Sequence, residues 1–293
     1  MGATVLGDVL VLERRPSRVA PLLDAWADRF IGAVRSADHV SANRWLRVLT
    51  DRSWPEDLEQ QVDAALDRVT TAELVEMMAV DLSLDGRDAR AGSDLVAAWG
   101  RRIVPPLLEW IVANEAPISR KLVVDHLASI GKVDVDALLP YLDDPRWFVV
   151  RNFATAVGRS GADDAVGPLT ACLDHDDDRV RVEALRAIAA IRKDGAVTVI
   201  VEALGDKSDT VRHAAISLLR AVGSDDVVAI AEQVISDKRV DATDARRLVA
   251  LIAERPDSSA LPALERIAAR RPAFGMHKAA RDAARFELSS RVS

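Results

Sequence analysis

Apolar residues in this chain recur at helical spacing, and between residues 138 and 230 they do so in superimposable registers. Leu142, Leu173 and Leu204 stand at one constant spacing. Val149, Val180 and Val211 share that spacing, as do Val157, Ile188 and Leu219, and Asp163, Asp194 and Asp225. A period of about 31 residues shared by four independent positions marks a repeat architecture. Each unit predicts two short helices. The first carries Val166, Leu169 and Leu173, or Val197, Ile200 and Leu204, at helical spacing. A polar turn follows: DDPRW, DHDDDR or GDKSDT. The second helix is expected to open at Asp178 or Asp209, either of which suits an N-cap. It continues through Val180, Ala184, Leu185, Ile188 and Ile191, or through Val211, Ala215, Ile216, Leu219 and Val222. Gly161 and Gly223 suit the left-handed residue that ends such helices.

The pattern extends in both directions with falling fidelity. His126–Gly131 lies close to one period before Ala156–Gly161, and its partner helix would run from Ile103 to Ala113. Downstream, Ile235, Leu248, Leu251, Ile252, Leu261, Leu264 and Ile267 predict another unit of less regular period, and Met276–Leu288 a terminal helix. One hairpin cannot bury both its apolar faces, whereas stacked hairpins bury a continuous core. The expected fold is therefore all-α, an α-solenoid of stacked antiparallel helical hairpins. Leu142, Leu173, Leu204, Val157, Ile188 and Leu219 should be buried between neighbours.

Before residue 100 the period is not visible, but the segment still reads as helical. Ser17–Arg35 has a broad apolar face. Ser53-Trp54-Pro55-Glu56 and Thr70-Thr71-Ala72-Glu73 read as capping boxes, and the polar stretch Asp85–Gly92 as a loop. The domain reading is a degenerate helical cap or small helical domain over 1–100, repeats over 101–269, and a capping helix and tail over 270–293.

The segments VRVEALRAIAAI at Val180–Ile191, VRHAAISLLRAVG at Val211–Gly223 and DPRWFVVRNFATAVGRSG at Asp144–Gly161 resemble the HEAT-repeat family, in the short bacterial form often labelled phycobilisome-lyase-like. The resemblance covers roughly residues 103–269. It implies a solenoid whose second helices line the concave side. Its motif positions are packing and capping positions, so it speaks to fold. The lyase label implies enzymes that attach bilin pigments, and nothing in the residues adds to that. HEAT-like DNA glycosylases share the fold and use a basic face with aromatic side chains and a carboxylate; the net charge here is opposite.

That charge is −7 over 293 residues, which disfavours unspecific nucleic-acid binding. The distribution is uneven: Arg266, Arg270, Arg271, Lys278, Arg281, Arg285 and Arg291 face only Asp282 and Glu287 at the C-terminal end. The single cysteine, Cys172, allows no internal disulfide and fits a reducing cytosol. Residues Met1–Leu12 lack the basic start of a signal peptide, and no apolar run is long enough for a membrane helix.

Candidate chemistry is sparse. His39, His126, His175, His213 and His277 show no metal-ligand spacing. His175 and His213 could approach Asp176–Asp178, although a solvated acidic turn explains the same residues. Cys172 lies on an apolar helix face, as an inert core thiol does. No catalytic, cofactor or metal residues are assigned, and no cofactor is expected. Trp147 stands where later repeats carry Asp178 and Asp209; it either covers a neighbouring turn or anchors a partner. Once the apolar positions are removed, the second helices leave a polar, mildly basic strip. It comprises Arg151, Asn152, Thr155 and Arg159; Glu183, Arg186, Ala190 and Lys193; and His213, Ser217 and Arg220. The expected function is a non-catalytic, cytoplasmic scaffold or adaptor that holds an acidic protein segment on this strip. Nucleic-acid binding through the basic C-terminal end is the alternative, and a lyase-like enzyme comes third.

Overall fold

The computed structural model describes residues 2–13, 15–71, 73–74, 76–78, 89–113, 117–222, 226–237, 240–255, 259–270 and 275–291. Among them all regular structure is α-helix or short 3-10 turn, and none is strand. The expected all-α solenoid of helical hairpins is what forms. No helix among the described residues is long and apolar enough to cross a membrane. The chain divides into two compact units, Met1–Ala162 and Asp163–Ser293.

Among the described residues, four hairpins build the unit Asp163–Ser293. Their first helices are Val166–Ala171, Val197–Ala203, Val227–Ser236 and Ala260–Ala268, and their second helices are Asp178–Arg192, Asp209–Ala221, Ala242–Glu254 and Met276–Ser290. The second helices pack on one another in chain order. Small and branched aliphatics permit this close approach. Val180, Ala184, Leu185 and Ile188 are buried on one helix, and Val211, Ala215, Ile216 and Leu219 on the next. The helices start at 178, 209, 242 and 276, so the step lengthens after the second. That is why the strict period fades in the sequence.

Three local expectations need correction. The N-caps are Asp177 and Ser208, one residue earlier than expected, and their side chains accept from the backbone N–H of Arg179 and Thr210. Asp178 and Asp209 are instead the first helical residues, where carboxylates still favour the positive helix end. Leu173 is only half-buried, unlike Leu142, Leu204, Val157, Ile188 and Leu219. The helix ends there in the tighter turn Cys172–Asp174, which puts Cys172 inward and leaves Leu173 lining an open recess with Arg181, Asp206 and Val211.

In the unit Met1–Ala162 the helices His39–Thr50, Ala89–Trp99, Pro117–Gly131 and Trp147–Ser160 form the corresponding side-by-side series. Pro16–Arg35 and Glu56–Val69 pack together on the other side of the first hairpins. Large aromatics fill this core. Trp26 stacks on Phe30 with centroids 5.6 Å apart, and Phe30 meets Trp99 edge-on at 5.1 Å. The indole N–H of Trp26 donates to the Trp45 carbonyl, and that of Trp99 to the Thr70 hydroxyl. Bulky rings replace the Ala and Val of later repeats, which hides the repeat here. The helix after the first expected capping box opens at Glu56 with Pro55 as its cap residue, without a side-chain cap. In the second box Thr71, not Thr70, accepts from the N–H of Leu74. Helix Ala89–Trp99 begins inside the expected loop, so Gly92 is helical; residues 85–88 lie outside the described residues. Gly161 ends Trp147–Ser160 in the left-handed region, φ 75°, as expected, whereas Gly223 and Asp225 fall outside the described residues.

Candidate functional site

The predicted strip falls into two parts, one in each unit. In Met1–Ala162 it lies on Trp147–Ser160. Trp147 is half-buried, with its ring edge-on to Phe148 at 6.1 Å. Arg151 is half-buried and makes no ion pair among the described residues. Thr155 donates its hydroxyl to the Arg151 carbonyl. Arg159 is exposed and paired with Asp125. Asn152 does not belong to an exposed strip: it is 6 % exposed. Val149, Val150, Phe153, Ala154, Ala156, Val157 and Gly158 are buried as well, so this helix is enclosed around most of its circumference.

In Asp163–Ser293 the strip lies on two adjacent second helices. Arg186 donates to Glu183 at 2.7 Å, one turn away on its own helix. Arg220 reaches Glu254 at 3.0 Å. Lys193 is exposed, with no hydrogen bond or ion pair to its side chain among the described residues. Arg186, Lys193, Ala189, Ala190, Leu218 and Ala221 line an open recess of about 330 Å³. Its floor is aliphatic, and its rim carries Arg186 and Lys193 together with the carboxylate of Asp194. Lys193 caps Asp178–Arg192 at φ 51°, ψ −122°, and donates its backbone N–H to the Ala189 carbonyl. An L-residue with a side chain at such a positive φ carries strain of about 1–3 kcal/mol. His213 points elsewhere: its Nε2 lies 3.2 Å from the fully buried carboxylate of Asp244.

The buried polar system of this unit was not anticipated from the sequence. Arg181 and Arg212, one period apart, are 3 % and 9 % exposed. Arg181 donates to the carbonyls of His175 and Asp176, and Arg212 to those of Asp206 and Lys207. Each arginine thus closes the turn ahead of its own helix. Each also reaches the next turn: Arg181 makes two bonds to Asp206, and Arg212 bonds Asp241 and Asp244. Burial is the largest single influence on the Asp206 pKa and would raise it, but the Arg181 hydrogen bonds, the Ser208 backbone N–H and the nearby positive charges together hold the carboxyl below its usual value. Arg181 itself is raised, chiefly by that same bond. A second register runs through the turns. Asp144, His175 and Asp206, again one period apart, each accept from the backbone N–H two residues on. The signal was present as two Val-Arg pairs and a recurring turn acceptor, but arginine in a helix reads as surface until its partners are known.

The HEAT-repeat family model matches residues 104–181 and 166–251. These segments together span half the chain. The chain belongs to the HEAT-repeat family. A search of curated proteins finds no match. Among solved structures, the complex of CpcE and CpcF of phycocyanin lyase from Nostoc sp. PCC7120 is 18 % identical, over 75 % of this chain and 92 % of that one, with a TM-score of 0.31. An engineered protein is 15 % identical over 99 % of both chains, also with a TM-score of 0.31.

The basic residues at the C-terminal end of the HEAT repeats are largely engaged with their own chain. Arg266 pairs with Glu232 at 2.7 Å, and Arg281 with Asp282 at 2.8 Å. Arg270 donates to the Ser236 hydroxyl, Arg285 to the Ala268 carbonyl and Arg291 to the Ala253 carbonyl. Arginines here close helix C-termini, where carbonyls lack intrahelical partners. Arg271 lies outside the described residues. His175 and Cys172 are both engaged with neighbouring backbone groups. His175 Nδ1 accepts the Asp177 N–H, and buried Cys172 donates to the Pro168 carbonyl. Among the described residues no group of three or more His, Cys, Asp or Glu is placed to hold a metal.

Proposed function

We propose that the protein is a non-catalytic HEAT-repeat adaptor that holds an acidic segment of another protein on the exposed faces of its second helices. The observation that carries this reading is the recess between Asp178–Arg192 and Asp209–Ala221, an aliphatic floor with the cations Arg186 and Lys193 at its edge beside Asp194. An apolar patch flanked by cations suits a peptide that presents apolar and carboxylate groups together. Within the molecule the strip is partly neutralised, because Arg159, Arg186 and Arg220 already face Asp125, Glu183 and Glu254. A partner carboxylate would compete with these exposed pairs, which are individually weak. Nucleic-acid binding through the C-terminal end is less well supported, since most of its arginines hold helix ends or acidic neighbours. The single buried cysteine, which needs no oxidising compartment, supports a cytoplasmic setting.

The test begins with affinity capture and identification of a partner. Arg151, Arg186 and Arg220 are then replaced together by Glu. Circular dichroism should show an intact helical fold, because Arg186 and Arg220 are exposed and half-buried Arg151 makes no ion pair among the described residues, and binding should be lost. A folded triple variant that binds as well as the parent would remove this face as the interface. A steep loss of nucleic-acid binding with added salt would favour the alternative.

A further inference from the structure

Lys193 stands apart from the other exposed cations of the strip in two independent ways. Arg159, Arg186 and Arg220 have acidic partners, whereas the Lys193 ammonium has none among the described residues. Its backbone also sits at φ 51°, ψ −122°, a conformation that glycine adopts without steric cost. The equivalent helix end in the preceding repeat does use glycine, Gly161 at φ 75°. Helix termination therefore does not call for lysine, and among the described residues the side chain makes no hydrogen bond or ion pair that would hold the turn. What it does is line the aliphatic recess together with Ala189, Ala190, Leu218 and Ala221, with Asp194 as the one carboxylate of the lining.

We infer that Lys193 is the specificity-determining anchor of this recess: its ammonium takes a carboxylate of an acidic peptide whose neighbouring aliphatic side chain fills the space over Ala189, Ala190, Leu218 and Ala221. The inference rests on the peptide-binding reading above. The occupant is set by complementarity. A floor of methyl and isobutyl groups offers dispersion contacts to an aliphatic side chain and no hydrogen-bonding groups for a polar one. An unpaired ammonium at the edge is a compact positive charge that a carboxylate satisfies. The requirement is thus an Asp or Glu close in sequence to a Leu, Ile, Val or Met. Retaining lysine at a strained position fits a residue kept for binding at a cost to stability.

The probe is a random-peptide display library panned on the full chain. Enriched peptides are synthesised and their affinities measured by fluorescence anisotropy on the wild type, Lys193→Gly and Lys193→Arg. Urea unfolding of each variant runs alongside. The expected result is enrichment of peptides that pair an acidic with an aliphatic residue. Affinity should fall about tenfold on Lys193→Gly, the size of one charge-assisted contact, and be largely retained on Lys193→Arg. The urea midpoint of Lys193→Gly should not fall, which separates lost binding from lost fold. If acidic-aliphatic peptides are enriched but bind Lys193→Gly as tightly as wild type, the anchor role is overturned while the adaptor reading stands. If the enriched peptides lack carboxylates, or none is enriched, both are overturned.

Discussion

At positions 181 and 212 the unit Asp163–Ser293 buries an arginine; one period before the first of them, in Met1–Ala162, the same register position holds Val150, which is 1 % exposed. The two solutions fix their turns differently. Arg181 and Arg212 satisfy two turn carbonyls each and reach the next turn through the half-buried carboxylate of Asp206 and the buried one of Asp244. The Val150 repeat fills the space with aliphatic surface and ties its turn from outside, through Arg146, which grips Asp144 with two guanidinium bonds. Burying an arginine is expensive, and it is tolerated only where nearly every donor has a partner. The comparison shows that a HEAT turn can be held either by packing or by a satisfied buried charge. The two should respond differently to truncation.

The largest expected effect is on the arginine side. Arg212→Ala removes Nε from Asp244, which is 0 % exposed, and leaves that carboxylate to Arg247 and His213. A loss of about 3–5 kcal/mol is expected from breaking a buried pair. Val150→Ala should cost about 2 kcal/mol, since only buried methyl surface is removed. Urea unfolding of both variants decides the point. Equal losses would mean that the clamp adds nothing beyond its packing. Ile188→Ala calibrates the core between these cases. Ile188 is 1 % exposed, and truncation should cost about 2–5 kcal/mol. A much smaller loss would show that the hairpin interface repacks freely.

The two units also differ in how well their buried polar groups are served. Arg181 and Asp206 satisfy each other, whereas both ring nitrogens of His126 are buried without a hydrogen-bond partner among the described residues. Desolvation pushes the His126 pKa down to about 4; Asp125 opposes the shift and His39 adds to it. The unfolded chain, with an ordinary histidine pKa of about 6.5, takes up a proton first as pH falls. Stability from the neutral ring is therefore full above about pH 6.5 and is lost progressively toward pH 4, by roughly 3 kcal/mol. Urea unfolding at pH 7.5 and 4.5, on the parent and on His126→Leu, tests this. The leucine variant should lose most of the difference between the two pH values. Unchanged pH dependence would assign the effect to other groups.

Much of the fold was legible because the repeat writes packing into composition. Four registers sharing one period located hairpins, helices and buried positions such as Ile188 and Leu219. The errors have local causes. A 3-10 turn rotated Leu173 outward, and the caps sat one residue early, because Asp177 and Asp178 are chemically equivalent in sequence. Asn152 was misread because its helix is buried on more sides than its amphipathic pattern implied. At the candidate site, residue identity gave the cations but not their partners. Arg186 and Arg220 read as free and are paired, while Lys193 reads as ordinary and is the exposed cation of the strip without an ion pair among the described residues. The buried roles of Arg181 and Arg212 depend on carboxylates 25 and 32 residues away, which no window along one helix contains.

The smallest expected effect compares two helix ends that look alike and should respond with opposite sign. Gly161 and Lys193 both close a second helix with a positive φ. A Cβ built at Gly161 would meet nothing within 4 Å, so space is not the obstacle there. Gly161→Ala should still cost about 1 kcal/mol, because a side chain disfavours the left-handed region that glycine enters freely. At Lys193 two terms compete. Glycine would relieve strain of about 1–3 kcal/mol, but it would make the unfolded chain more flexible, at a cost of about 0.4–1 kcal/mol. The strain term is larger, since ψ −122° puts Lys193 outside the left-handed helical well that side chains at least visit. Lys193→Gly should therefore stabilise the fold by about 1 kcal/mol, while Gly161→Ala weakens it by a similar amount. Urea midpoints measured side by side give the sign directly. A destabilised Lys193→Gly would show that the lysine side chain supports the turn, and the case for a position strained in favour of binding would fall with it.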